Sequence, residues 1–235
     1  MRIHQYLPRP LKEALKPFYY RLNPSRKYEG ELGFWRGRWE AENHHFRNDH
    51  YKKYMLGMAG EENDGFLQDK IVVDFGCGPR GSLCWCKAAR LRIGVDVLAD
   101  QYAEFAIRDH NMCYVTSSEK IIPLPTGFAD VVFTINAIDH VDHFETICSE
   151  ILRILHPGGE LIASFNLEQP VTRMEPQTLT ENSVKRHLLD HLTIKSFRQT
   201  TGGLEGNAYQ HFFDGSPEVL TGERYLWVRA QKPLG

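Results

Sequence analysis

The sequence predicts an α/β fold: a doubly wound, mostly parallel sheet of seven strands with an N-terminal helical extension. Three observations carry that expectation. Short apolar runs alternate with segments of helical periodicity from residue 71 onward, the pattern of a parallel sheet covered on both faces. The first run, Ile71-Val72-Val73-Asp74-Phe75, opens into glycines at 76, 78 and 81. Further on, Phe144, Ile147, Cys148, Ile151, Leu152 and Leu155 form one helical stripe, which Pro157-Gly158-Gly159 stops.

Taken in chain order, the front segment comes first. Residues 1–60 hold 12 Lys and Arg against 6 Asp and Glu, a net of +6, which leaves −8 for the remainder of a chain whose formal charge is −2. Leu11, Ala14, Leu15 and Phe18 recur at helical spacing, and Phe34, Trp35 and Trp39 are suited to sealing the segment onto a core. The polar run Glu61-Glu62-Asn63-Asp64 is the expected join, so residues 1–64 form a basic, aromatic helical segment or lid, and 65–235 the main domain. Strands are expected at 71–75, 92–95, 112–115, 130–135, 161–165, 192–197 and 224–230, with helices at 80–90, 99–109, 143–155 and 181–190. Thr180 is placed to cap the last helix, and the polar stretch 199–223 links the final two strands as a hairpin.

Composition narrows the function. A chain of 235 residues with 42% hydrophobic and 25% charged residues suits one sizeable core, and no apolar run approaches the roughly 18 residues of a membrane helix. A cytoplasmic protein is expected. The five cysteines, an odd count, read as reduced thiols, and Cys77 with Cys84 and Cys86 lacks zinc-knuckle spacing, so no metal site is expected.

The glycine turn after the first strand is the chemical feature. A strand running through Gly76-x-Gly78-x-x-Gly81 into a helix, with Asp96 twenty positions past the first glycine, describes a nucleotide-cofactor pocket. That spacing alone favours a nicotinamide or flavin dinucleotide. Asp74, two residues before the first glycine, points elsewhere, because its carboxylate would face a pyrophosphate but would welcome a cation. S-adenosylmethionine carries an ammonium and a sulfonium and has no pyrophosphate.

With the later motifs the chain resembles the class I, Rossmann-like S-adenosylmethionine-dependent methyltransferases. The resemblance rests on D-x-G-x-G at 74–78, G-V-D at 94–96, P-L-P-x-G-x-x-D-V-V at 123–132, N-A-I-D-H-V at 136–141 and L-x-P-G-G at 155–159. It implies an antiparallel last strand and a front segment that covers the cofactor. It also implies that Asp74, Gly76, Cys77 and Gly78 surround the methionine part, that Asp96 takes the ribose hydroxyls, and that Val97 and Leu98 flank the adenine. The backbone carbonyl of Asn136 would meet the ammonium. Ser117 stands where similar enzymes commonly carry an acid, so Ser118, Glu119 or the backbone is left to meet the adenine amino group.

The acceptor is expected to be a small molecule, an oxygen of a sugar or nucleotide-linked sugar. Asp139-His140 and Asp142-His143 put carboxylates and imidazoles at the mouth of the fourth strand, with His140, supported by Asp139, the first candidate for a general base. Arg21, Arg26, Lys27, Arg36 and Arg38 suit a phosphate-bearing acceptor, and Glu168, Arg173 and Glu175 are candidates for contact with it. Base methylation of nucleic acid is not expected, because residues 136–139 are Asn-Ala-Ile-Asp and not an Asn-Pro-Pro-Tyr type of tetrapeptide. A nicotinamide-dependent oxidoreductase and a non-catalytic S-adenosylmethionine-binding module are the alternatives.

Overall fold

The computed structural model describes residues 24–201, 212–213 and 224–234. The stripe from Leu11 to Phe18, Arg21 and most of the 199–223 linker lie outside the described residues, as does the side chain of Arg26. Two helices lead into the sheet, α1 (Pro24–Ala41) and α2 (Asp49–Ala59). The backbone of Gly60, left-handed at φ 70°, closes α2 by donating to the carbonyl of Gly57.

The seven strands are β1 (Ile71–Phe75), β2 (Leu91–Asp96), β3 (Cys113–Thr116), β4 (Ala129–Ile135), β5 (Leu155–Leu167), β6 (Thr193–Thr201) and β7 (Arg224–Gln231), in the order β3-β2-β1-β4-β5-β7-β6. β1 to β5 pair in parallel, and β7 lies antiparallel between β5 and β6, as expected for the last strand and the final hairpin. From β1 the chain winds outward through β2 and β3, then returns to the other flank of β1 with β4. Connections therefore leave the carboxyl ends of β1 and β4 in opposite directions, and a crevice opens between them.

One face of the sheet is covered by α3 (Phe144–Ile154) and α4 (Glu181–His187), whose Ile147, Ile151 and Val184 pack against Val73, Val132 and Leu161. Thr180 caps α4 by accepting from the Ser183 amide. The predicted stripe of α3 is buried, but Leu155 already belongs to β5. Pro157-Gly158-Gly159 ends the helix from inside the strand, where the register shifts between Ala129↔Leu155 and Val131↔Glu160 and the chain loops out through Gly158 at φ 81°.

The other face departs from expectation. No helix forms over 80–90; turns run through this stretch and bury Leu83, Cys86 and Ala89 against the sheet. Residues 76–90 connect β1 to β2 without a helix. The vacant place is taken by α2, whose Met55, Met58 and Ala59 pack on Val72, Val131, Phe133 and Ile162. Likewise the helix expected at 99–109 is two 3-10 turns, Gln101–Phe105 and Ile107–Asp109, divided by Ala106 at φ 56°. Among the described residues no helix is long and apolar enough to cross a membrane.

Candidate active site

A cavity of about 380 Å³ occupies the crevice at the carboxyl ends of β1, β2 and β4, within the roughly 300–1,000 Å³ of small-molecule sites. Its floor begins at Gly76, whose φ of 75° and contact with the next loop both demand glycine: a Cβ there would stand 2.2 Å from the Ala137 Cβ. Gly78 approaches α1 closely too, since its Cβ would lie 2.8 Å from Trp35 Cζ2. The tryptophan of the front segment thus lies directly on the glycine loop.

Asp96 fixes that loop from the next strand. Its Oδ2 accepts from the Gly78 amide at 3.0 Å and its Oδ1 from the Leu98 amide at 2.9 Å, leaving each oxygen further acceptor capacity at the cavity wall. Burial pushes its carboxyl up to about 6, against the pull of those two amides.

Asp74 is not on the wall. It is buried beneath the loop, where the Ser82 hydroxyl donates to its Oδ2, and burial pushes its carboxyl up to about 7. Its proton is held more tightly in the folded chain, so this group's stabilising contribution is full below about pH 4 and is lost as pH rises through about 7. Asp74→Asn is accordingly expected to gain stability over the parent at pH 8 relative to pH 5 in paired thermal melts. An unchanged difference between the two pH values would refute the assignment.

Of the other expected cofactor residues, Val97, Ser118, Glu119 and Asn136 also reach the cavity, whereas Cys77 and Leu98 do not. The Cys77 sulfur turns toward the sheet, 2.6 Å from where a Gly94 Cβ would stand, and Leu98 is buried with Phe46, Tyr102 and Phe105. Asn136 ends β4 at φ 46° and is held by Ser164, whose hydroxyl donates to its Oδ1 at 3.0 Å. Both oxygens of Glu119 already have protein donors. Lys27 Nζ at 3.0 Å and the Tyr28 hydroxyl donate to Oε1, and the Asp142 amide donates to Oε2 at 2.8 Å. Although burial alone would raise the Glu119 carboxyl, the Lys27 ammonium holds it below its ordinary value. Lys27 also stands 3.4 Å from Asp142, so this cation is spent on the protein itself, and Arg36 pairs with Glu104.

His140 and Asp139 sit side by side at the end of β4, with His140 on the cavity wall and Asp139 behind it. Asp139 Oδ2 accepts from Asn166 Nδ2 at 3.0 Å. The His140 Nδ1 lies 3.4 Å from Glu31 and its Nε2 lies 3.8 Å from Glu175. Burial lowers the imidazole's affinity for a proton, but Glu31, Asp139 and Glu175 outweigh it and carry the group up to about 9. Of the residues expected after β5, Glu175 reaches the cavity, while Glu168 lies 3.7 Å from Arg224.

Glu31 was not among the residues expected at the site. A signal was present: Lys27, Glu31 and Trp35 are spaced by four and share one face of a helix, and Phe34 adjoins them.

The sheet order, the crevice and the glycine loop define the Rossmann-like methyltransferase fold. Residues 73–163 match the family described as "Methyltransferase domain". A malonyl-[acyl-carrier protein] O-methyltransferase of Enterobacter lignolyticus is 34% identical over 144 residues, covering 57% of this chain and 54% of that protein. A ubiquinone/menaquinone biosynthesis C-methyltransferase of Stutzerimonas stutzeri is 30% identical over 110 residues, covering 46% and 40%. The chain thus spans about half the length of these relatives or less. In structure, an S-adenosylmethionine-dependent methyltransferase from Listeria monocytogenes aligns over 76% of this chain and 97% of its own with a TM-score of 0.56 at 18% identity, a likeness of fold. Over residues 73–163 the chain therefore matches a methyltransferase domain, carried on a fold shared with S-adenosylmethionine-dependent methyltransferases.

Proposed function

We propose that the chain is a cytoplasmic enzyme that transfers the methyl group of S-adenosylmethionine, in line, to an oxygen of a small molecule, a sugar or nucleotide-linked sugar. The observation that carries this reading is the cavity's division into two ends. Asp96 and the Gly78 loop offer a nucleoside its diol acceptors and backbone, and His140, with Glu31 and Glu175, forms a polar end across from them. Methyl transfer needs the acceptor held near the sulfonium in line with the departing sulfur, and a cavity with two ends does this by position. The α1 helix supplies part of the wall through Lys27, Glu31, Phe34 and Trp35. The O-methyltransferase among the relatives, which is named for malonyl-[acyl-carrier protein], supports oxygen as the acceptor atom.

A second reading has its own support. Phe34, Trp35, Val141 and Met174 give the cavity an apolar flank that would suit an apolar ring, and one relative is named for quinone biosynthesis. Labelled S-adenosylmethionine presented with a panel of sugars, nucleotide-linked sugars and quinols, read by mass spectrometry, separates the two. Methylation of quinols alone would overturn the sugar assignment, and no turnover with any acceptor would favour a non-catalytic module. Thermal stabilisation by S-adenosylhomocysteine and not by NAD is expected, and the reverse would restore the oxidoreductase alternative. His140→Ala is expected to lower kcat at least about tenfold while leaving the dissociation constant of S-adenosylhomocysteine within about threefold. Equal loss in both would place His140 in donor binding instead.

A further inference from the structure

The polar end of the cavity holds more acceptor atoms than its hydrogen bonds use. A carboxylate oxygen of Asp139, a ring nitrogen of His140 and a carboxylate oxygen of Glu175 lie within 4.8 Å of one another. Asp139 is 4% exposed, and its Oδ1 has no hydrogen-bond partner among the described residues, although Oδ2 is bonded to Asn166. A buried carboxylate oxygen without a donor is unfavourable unless something cationic meets it. The imidazole is also oriented from outside: Glu31, on α1, stands at Nδ1, which turns Nε2 toward Glu175. A carboxylate behind one nitrogen and an open second nitrogen is how metal-binding histidines are held.

We propose that Asp139, His140 and Glu175 form a binding site for a divalent cation, with Glu31 as the positioning residue behind the histidine. His140 Nε2 and Glu175 Oε1 stand 3.8 Å apart, and two tetrahedral ligands about 2.1 Å from one ion stand roughly 3.4 Å apart, so the cluster would draw in around it. Two carboxylate oxygens and one imidazole, without a thiolate, suit manganese or zinc. Three protein ligands leave positions open toward the cavity, where two neighbouring oxygens of an acceptor, as in a vicinal diol, would complete the coordination. This role, though not the site itself, rests on the methyltransferase reading. The bound hydroxyl would release its proton to solvent more readily. Its oxygen would then form the bond to the methyl carbon as the carbon–sulfur bond breaks, the electron pair remaining on sulfur.

The test is titration of the whole chain with Mn²⁺ alone, following loss of the free-ion signal by electron paramagnetic resonance, with Zn²⁺ as competitor. Saturation at one ion per chain is expected, weakened at least about tenfold by Glu175→Gln and by Asp139→Asn. If Asp139→Asn fails to fold, Glu175→Gln, on a more exposed side chain, carries the test. No saturable binding, or binding unchanged in Glu175→Gln, would overturn the site. S-adenosylhomocysteine binding is measured in the same samples: its failure with ion binding intact overturns the methyltransferase reading alone, and the opposite pattern overturns the ion site alone.

Discussion

Asp96→Ala is expected to weaken binding of S-adenosylhomocysteine by about 100-fold or more in calorimetric titration. Two hydrogen bonds from ribose hydroxyls to a carboxylate contribute roughly 1.5–3 kcal/mol each, and about 1.4 kcal/mol is a factor of ten. The substitution also strips the Gly78 and Leu98 amides of their acceptor, so the loop that forms the floor loses its tether to β2. Because burial holds the Asp96 carboxyl near 6, the parent's affinity should decline as pH falls through that value and the carboxylate is neutralised. Asp96→Asn, which cannot change charge, should show a flat profile over the same range. Unchanged affinity in the alanine variant, or a pH slope that survives in the asparagine variant, would remove Asp96 from the donor site.

Lys27→Met is expected to release α1 from the core. The ammonium is nearly enclosed, with 4% of the side chain exposed, and it faces two carboxylates, Glu119 at 3.0 Å and Asp142 at 3.4 Å. Removing one partner of a buried ionic cluster leaves the other charges uncompensated, which typically destabilises by about 3–5 kcal/mol. Here the loss should appear as local opening, read as faster amide exchange across 24–41 and weaker donor binding, since Glu31, Phe34 and Trp35 ride on the same helix. Arg36→Ala is the control, because the Arg36–Glu104 pair lies at the surface, 54% and 37% exposed, where such pairs contribute about 0–1 kcal/mol. Equal effects of the two substitutions would mean that Lys27 does not hold the roof.

Much of the sheet was readable because each strand carries its own burial pattern. β1, β2 and β4 are short apolar runs buried on both faces, and no neighbour is needed to recognise them. The stripe of α3 was visible for the same reason, while its last turn was misplaced by a residue because Leu155 serves either element equally well. The missing helix at 80–90 could not be read locally. What covers the face there is α2, which arrives from far upstream. In the site, backbone-dictated positions such as Gly76, Gly78 and Asp96 were legible from spacing. The fates of Glu119 and Lys27 were not, because they depend on a contact across 92 positions of chain.

The substitution of α2 for a local crossover helix bears on how this protein can be dissected. An excised fragment beginning at residue 65 would present Val72, Val131, Phe133 and Ile162 to water with only the turns of 83–89 above them. It would also leave Arg80 without Glu42 and the glycine loop without the indole that rests on it. The part of the chain from residue 65 onward is thus not a portable cassette: grafting its floor onto another leader would require a replacement for both the underside and the ceiling.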